Sequence, residues 1–186
     1  MREMPAVQYV VEGGRTLHGT IRPSGNKNAA LPIVAAALIS ENVVHLENVP
    51  HIRDIETLVE LIQSVGADVQ WTGDNALRIE ARQLTAKDLD PALCAKIRAS
   101  ILLAAPLLAR CGEIMLPPPG GDVIGRRRLD THFLALEQLG AQHALEKGLL
   151  RLSVKEFRGA DVFLDEPSVT ATENALVAAC AAKGRN

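Results

Sequence analysis

The sequence predicts an α/β fold assembled from repeated βαβαββ units, the third of them incomplete. Three observations carry this. An apolar run recurs: "NAALPIVAAALIS" from Asn28 has counterparts in "RASILLAAPLLAR" from Arg98 and, more weakly, in "ATENALVAACAAKG" from Ala171. Each of the first two runs is followed by a segment with apolar residues at helical spacing that ends in Gly-Ala, "IRDIETLVELIQSVGADVQ" from Ile52 and "LDTHFLALEQLGAQHAL" from Leu129. Both then alternate across a short turn, as paired strands do. The units divide at about 21–83, 84–155 and 156–186.

Along the chain, the first run has no polar residue from Ile33 until Ser40, so its helix has no face made for water and should be buried. Pro32 suits only the first turn of a helix, which sets Lys27 and Asn28 at the entrance or just before it. Gly66 caps the next helix, and "DVQWTGDNALRIEA" turns at Gly73-Asp74-Asn75. In the second unit Pro106 kinks the apolar helix or marks a break. Gly140 ends the helix that follows, and "QHALEKGLLRLSV" turns near Lys147-Gly148. The third unit supplies a strand, "ADVFLD" at Ala160 to Asp165, and a helix from about Val169, and the chain stops in mid-unit at Asn186. Such a sequence is expected to be a piece of something larger, and its unpaired strand edges offer a route to self-association.

Composition narrows the function. With 47% hydrophobic but only 3% aromatic residues, the core must be built from Ala, Leu, Val and Ile, and base-stacking platforms are out of reach. A net charge of -2 gives no general attraction to nucleic acid or to an anionic membrane, so any anion site must be local. No segment reaches membrane-spanning length without a charge or proline, and the N-terminus lacks an apolar targeting region. Cys94, Cys111 and Cys180 are widely separated in Ala/Leu surroundings, which suits reduced thiols packed as small hydrophobes. The five histidines are scattered singly, so no zinc spacing is present, and a reducing cytoplasm is the expected location.

Three segments place charge at helix entrances. In "PSGNKNAALP", Gly25 permits a sharp turn, Lys27 adds a full charge to the positive end of a helix, and Asn28 can donate and accept hydrogen bonds. A solvated lysine ahead of an ordinary cap accounts for the same letters. "PPPGGDVIGRRRLDTH" is a Pro/Gly-rich loop that carries Asp122 and then Arg126, Arg127 and Arg128, of which one or two should point inward. A solvated basic run is the plain alternative. Arg98 holds in the second copy the place of Asn28 in the first, so related units would bring both entrances together; its alternative is an arginine snorkelling from a buried helix.

Together "SGNKNAALP", "KIRASILLAAPLLAR", "PGGDVIGRRRLDTHFLALEQLGA" and "DEPSVTATENALVAA" resemble the enolpyruvyl transferase family, and within it the branch that acts on UDP-N-acetylglucosamine at the start of bacterial peptidoglycan synthesis. The resemblance covers nearly all of the chain but less than half of a full family enzyme. It implies an inside-out α/β barrel domain, enolpyruvyl transferase-like, whose repeated units pack their helices inward. It also implies that residues 1–20, with a strand near Tyr9 to Glu12, belong to a second domain otherwise missing here, and that 21–186 form part of the first.

The implied substrates are phosphoenolpyruvate and UDP-N-acetylglucosamine; no cofactor, metal, nucleic acid or membrane is implied. By position, Lys27 and Arg127 would clamp phosphoenolpyruvate and Asn28 would contact the sugar nucleotide. Arg98, the stretch Arg127, Arg128, Leu129, Asp130 and Thr131, and the stretch Ser168, Val169 and Thr170 would hold the UDP portion. Asp122 departs from the family, since most members carry a cysteine there that protonates the vinyl carbon and is alkylated by fosfomycin. A carboxyl group can donate that proton, so the resemblance implies a fosfomycin-insensitive enzyme when complete, and a fragment without turnover when not. Two other classes compete with it: a substrate-binding module without chemistry, and a repeat scaffold.

Overall fold

The structure is a computed structural model that describes residues 8–85, 89–121, 125, 128–146 and 148–185. Asn26 starts the first helix: its side chain accepts a hydrogen bond from the Ala29 N–H at 3.1 Å, and α1 runs Lys27–Ala36. Pro32 is therefore inside the helix rather than in its first turn, and the cap, not the proline, fixes Lys27 at the entrance. The ring leaves the Asn28 carbonyl without its usual donor four residues on, and the helix tightens into a 3₁₀ turn over Ala37–Ile39. Gly25 does not have a positive φ; a Cβ there would lie 1.9 Å from the Asn48 carbonyl oxygen, so close approach rather than a sharp turn requires glycine.

The chain continues as β1 (Val44–Leu46), α2 (Arg53–Ser64), β2 (Asp68–Gly73) and β3 (Ala76–Glu80). The three strands form an antiparallel sheet in the order β1-β3-β2, and Asp74-Asn75 turn between the last two. α2 buries Ile55, Leu58, Val59 and Ile62 on one face, as its spacing predicts. It ends in a Schellman motif, with Gly66 at φ +102° while its N–H reaches Gln63 and that of Ala67 reaches Ile62.

The second unit repeats the plan. A short α3 (Pro91–Cys94), capped by Asp90, leads into a 3₁₀ segment over Arg98–Leu103 and then α4 (Ala104–Cys111). The expected break at Pro106 takes this form, because the change from 3₁₀ to α helix leaves the proline in the first turn of α4, where its missing N–H costs nothing. β4 (Glu113–Leu116), α5 (Asp130–Gln138), β5 (Gln142–Glu146) and β6 (Leu149–Ser153) follow, with sheet order β4-β6-β5. Gly140 closes α5 with the same pair of bonds that Gly66 makes. The final helix, α6 (Val169–Cys180), is capped by the Ser168 hydroxyl.

Residues 99–108 are buried without interruption, so the 3₁₀–α4 segment forms the centre, touching α1, α2 and α6 on one side and β4 and β6 on the other. Each sheet turns its outer face to solvent. There a central-strand arginine bridges to carboxylates: Arg78 of β3 to Asp68 and Glu80, and Arg151 of β6 to Glu113 and Glu146.

Several expectations are corrected. The leading strands of the first and third units are absent among the described residues, while the start of the second unit lies partly outside them. Residues 8–26 hold no strand, with Tyr9, Val10 and Val11 exposed, and residues 160–165 form none, leaving only an isolated bridge between Arg158 and Lys183. A strand needs a neighbour for its ladder. For Phe163 the Gln138 side chain substitutes, its amide donating to the Phe163 carbonyl and accepting from the Phe163 N–H, both at 3.2 Å. α1 is not buried all round, since Ile33 is half exposed. Nor are all three thiols interior: Cys94 is buried and pushed up to about 11 by that burial, whereas Cys180 is exposed.

Candidate functional site

Local folding sets three helical segments with their N-terminal ends together. α1 starts at Lys27 because Asn26 caps it, the 3₁₀ segment starts at Arg98 after extended Ile97, and α6 starts at Val169 behind Ser168. Between them lies a cavity of about 410 Å³, lined by five of the expected site residues, Lys27, Asn28, Arg98, Val169 and Thr170. Unsatisfied N–H groups at such ends favour anions within the first turn. Gly121 of the glycine loop lines one side. A Cβ on Gly120 would lie 1.7 Å from the Ala95 carbonyl oxygen, and one on Gly121, at φ +90°, would lie 3.0 Å from the Arg98 nitrogen. Only glycines let this loop reach the cavity wall.

The cavity carries mixed charge. Lys27 Nζ lies 2.8 Å from the Asp54 carboxylate in the first turn of α2, and Lys96 and Arg98 add two further cations. Arg98 donates to the Arg128 carbonyl at 3.3 Å, which ties the start of the second unit to the approach of α5. Glu173, one turn into α6, also lines the cavity, and burial raises its pKa. Three cations therefore face two carboxylates, one of them biased toward its neutral form. A ligand with acceptor oxygens must compete with Asp54 for Lys27 but finds Lys96 and Arg98 beside it.

Other expected residues do not line this space. The Arg128 guanidinium is exposed and bonds to Asp130, which raises its pKa, so neither side chain of that pair reaches the cavity. Leu129 lines a separate apolar pocket with Pro117, Phe133 and Leu150. Thr131 is buried and donates to Asp165 at 2.8 Å, and Ser168 is spent on capping α6. Asp122, Arg126 and Arg127 lie outside the described residues.

Sequence reasoning missed Asp54, Lys96, Gly121 and Glu173 as wall residues. Lys96 stands two residues before Arg98 and could have been read with it. Asp54 resembled an ordinary first-turn acidic residue, and nothing in its own segment points across to Lys27. Among the described residues no group of three or more His, Cys, Asp and Glu side chains could hold a metal ion, and no helix is long and apolar enough to cross a membrane.

The fold and site define an α/β protein in which three helix starts meet at a cavity lined by Lys27, Lys96 and Arg98 together with Asp54 and Glu173. Residues 11–186 match the family model for EPSP synthase (3-phosphoshikimate 1-carboxyvinyltransferase), and the chain belongs to that family. It is 69% identical over 181 residues to the UDP-N-acetylglucosamine 1-carboxyvinyltransferase of Bradyrhizobium diazoefficiens, a match over 97% of this chain and 42% of the relative. A protein of the same name from Treponema denticola is 48% identical over 95% of this chain and 41% of its own. The chain thus spans about 42% of the length of the curated relatives it matches. The fold is shared with the enolpyruvyl transferase NikO from Streptomyces tendae, at TM-score 0.73 and 23% identity over 89% of this chain and 39% of the other. EPSP synthase from Acinetobacter baumannii shares it at TM-score 0.69 and 18% identity, with the same coverage.

Proposed function

We propose that the chain forms the phosphoenolpyruvate and nucleotide-sugar wall of an enzyme that transfers an enolpyruvyl group to the 3-hydroxyl of UDP-N-acetylglucosamine, the first committed step of peptidoglycan synthesis in the cytoplasm. The observation that carries this reading is the meeting of Lys27, Asn28, Arg98 and Thr170 around one cavity, from three separate helix starts. The names of the relatives supply the acceptor.

In this reading the 3-hydroxyl gives its proton to a base of the second domain as its oxygen adds to C2 of phosphoenolpyruvate, while a separate proton is delivered to C3, giving a tetrahedral ketal. C3 then loses a proton and the C–O bond to phosphate breaks, which restores the vinyl group. Lys27 and Arg127 offset the phosphate and carboxylate charge as the tetrahedral species forms. Asp122 is the proton donor to C3 in place of the family cysteine. Asn28 contacts the sugar nucleotide, and Arg98 with the segments Arg127 to Thr131 and Ser168 to Thr170 holds its diphosphate end. The units complete an inside-out barrel only with further chain, and a second domain closes over the ligands.

The test is a graft: this chain replaces the matching segment of the Bradyrhizobium relative. The graft should release phosphate from phosphoenolpyruvate with UDP-N-acetylglucosamine as acceptor and should resist time-dependent inactivation by fosfomycin. Phosphate release with 3-phosphoshikimate instead would assign the other acceptor class. A second reading, a binding module without chemistry, applies to the 186 residues alone and is favoured by their share of the relatives' length.

A further inference from the structure

A buried polar chain runs from the centre of the fold to the cavity, and no part of it belongs to the groups assigned above except its last member. It begins where the 3₁₀ segment becomes α4. In a continuous α helix the Ala105 N–H would bond to the Ile101 carbonyl. Here the Asn174 amide of α6 is inserted between them: its oxygen accepts from Ala105 N–H at 3.3 Å, and its nitrogen donates to the Ile101 carbonyl at 3.0 Å. A backbone N–H can only donate and a carbonyl can only accept, so the amide has one possible orientation. Its second N–H points at His132 Nδ1, 2.9 Å away. His132 Nδ1 must therefore accept, and the ring proton sits on Nε2.

Nε2 lies 3.1 Å from the Thr170 hydroxyl oxygen, which thus receives a hydrogen bond and keeps its own proton for another acceptor. Among the described residues the Thr170 hydroxyl has no second partner, and Thr170 lines the cavity. We propose that His132 is a positioning residue: locked by Asn174, it turns the Thr170 hydroxyl into a fixed donor aimed at an acceptor-only oxygen of the ligand, phosphate or carboxylate. The inference rests on the cavity being the nucleotide-sugar site proposed above.

Packing alone does not call for this arrangement. His132 and Asn174 are 2% and 1% exposed, and the helix of the first unit, aligned at its Gly-Ala end, carries Leu58 where α5 carries His132. An imidazolium would break the lock that holds this relay, since Nδ1 would then present a proton to the Asn174 N–H. Burial and the nearby Arg98 charge hold the ring neutral, with its pKa lowered to about 4.

Nitrogen-15 labelling of histidine in the 186-residue chain reads the relay without any ligand. At pH 7 His132 should show an unprotonated Nδ1 and a protonated Nε2; a protonated Nδ1, alone or in an imidazolium, overturns the proposal. Asn174→Asp replaces the donor by an acceptor and should move the ring proton to Nδ1, although the added buried charge can prevent folding. Thr170→Val avoids that risk: the ring keeps its tautomer but the Nε2–H signal moves as its acceptor is lost, and Thr170→Ser restores it. With UDP-N-acetylglucosamine as the probe, binding should shift the native Nε2–H signal downfield, because a donating hydroxyl accepts more strongly. Thr170→Val should bind about tenfold more weakly or worse, and Thr170→Ser like the native chain. Binding that ignores both His132 and the Thr170→Val change refutes the relay and leaves the nucleotide-sugar reading intact. If the nucleotide sugar fails to bind, the ring spectra still decide the relay, so the two readings fail separately.

Discussion

At the scale of single residues, His132 makes a prediction about stability against pH. Its pKa falls from 6.5 to about 4 on folding, so between those values the unfolded chain binds a proton that the folded chain refuses. Its contribution is therefore at its full value above pH 6.5 and is lost as pH falls toward 4, a change on the order of 3 kcal/mol. Glu173 acts in the opposite sense, since burial raises its pKa and the folded state holds its proton longer. Comparing denaturant midpoints of the native chain and His132→Leu across that range isolates the histidine: the native profile should fall toward acid and the variant profile should be flatter. Equal slopes would show that the ring is not buried neutral.

Lys27 makes a different prediction, because its pair with Asp54 is about half exposed and such pairs contribute roughly 0–1 kcal/mol. Lys27→Ala should leave the midpoint nearly unchanged while the grafted enzyme loses most of its turnover. A stability loss with turnover retained would make the pair merely structural. Lys27, Asn28 and Arg98 were legible because they stand where recurring apolar runs begin, whereas Val169 and Thr170 came only with the family resemblance. The sequence could not disclose Asp54, Glu173 or the Asn174–His132 contact, since these meet only through packing between helices distant in sequence, and a histidine on a helical face reads equally well as core.

Elements were legible to the extent that local chemistry sets them. Gly66 and Gly140 announced helix ends, and the alternating segments announced β2, β3, β5 and β6, because these depend on neighbours a few residues away. Pro32 misled about the start of α1 since Asn26 capped earlier than the proline implied, and the strands expected near Tyr9 and Ala160 failed because nothing pairs with them among the described residues. The Gly120-Gly121 loop packs against Ala95 and Arg98 and brings Gly121 to the cavity wall. Gly120→Ala places a methyl inside the Ala95 carbonyl, so loop or helix must move, at about 1–3 kcal/mol by analogy with other overpacked sites. Gly73→Ala, whose Cβ would meet nothing closer than the Ala76 methyl at 4.0 Å, should change stability by no more than about 0.5 kcal/mol. Midpoints for the two variants test the contrast, and a harmless Gly120→Ala would mean the loop does not sit tightly on α3.

At the scale of the whole molecule, the described residues leave an apolar face open. Ile33 on α1 is 50% exposed, and Val169 and Leu176 on the adjoining α6, seven residues apart and so on one side of the helix, are 72% and 61% exposed. Val169 also lines the cavity, so this face runs to the mouth of the site. Contiguous exposed apolar strips commonly mark surfaces covered by another part of an assembly. The chain spans about 42% of the length of its relatives, and the remaining length is the occupant we expect over the strip. Leu176→Glu separates the cases. In the 186-residue chain a charge at an exposed position should alter stability by no more than about 0.5 kcal/mol and should reduce concentration-dependent association. In the graft, where the same position would be covered, an unpaired buried carboxylate should lower the unfolding midpoint sharply, by several kcal/mol if fully enclosed. Should the graft tolerate Leu176→Glu as well as the isolated chain does, the strip faces water there too, and the remaining length of the relative does not cover α6.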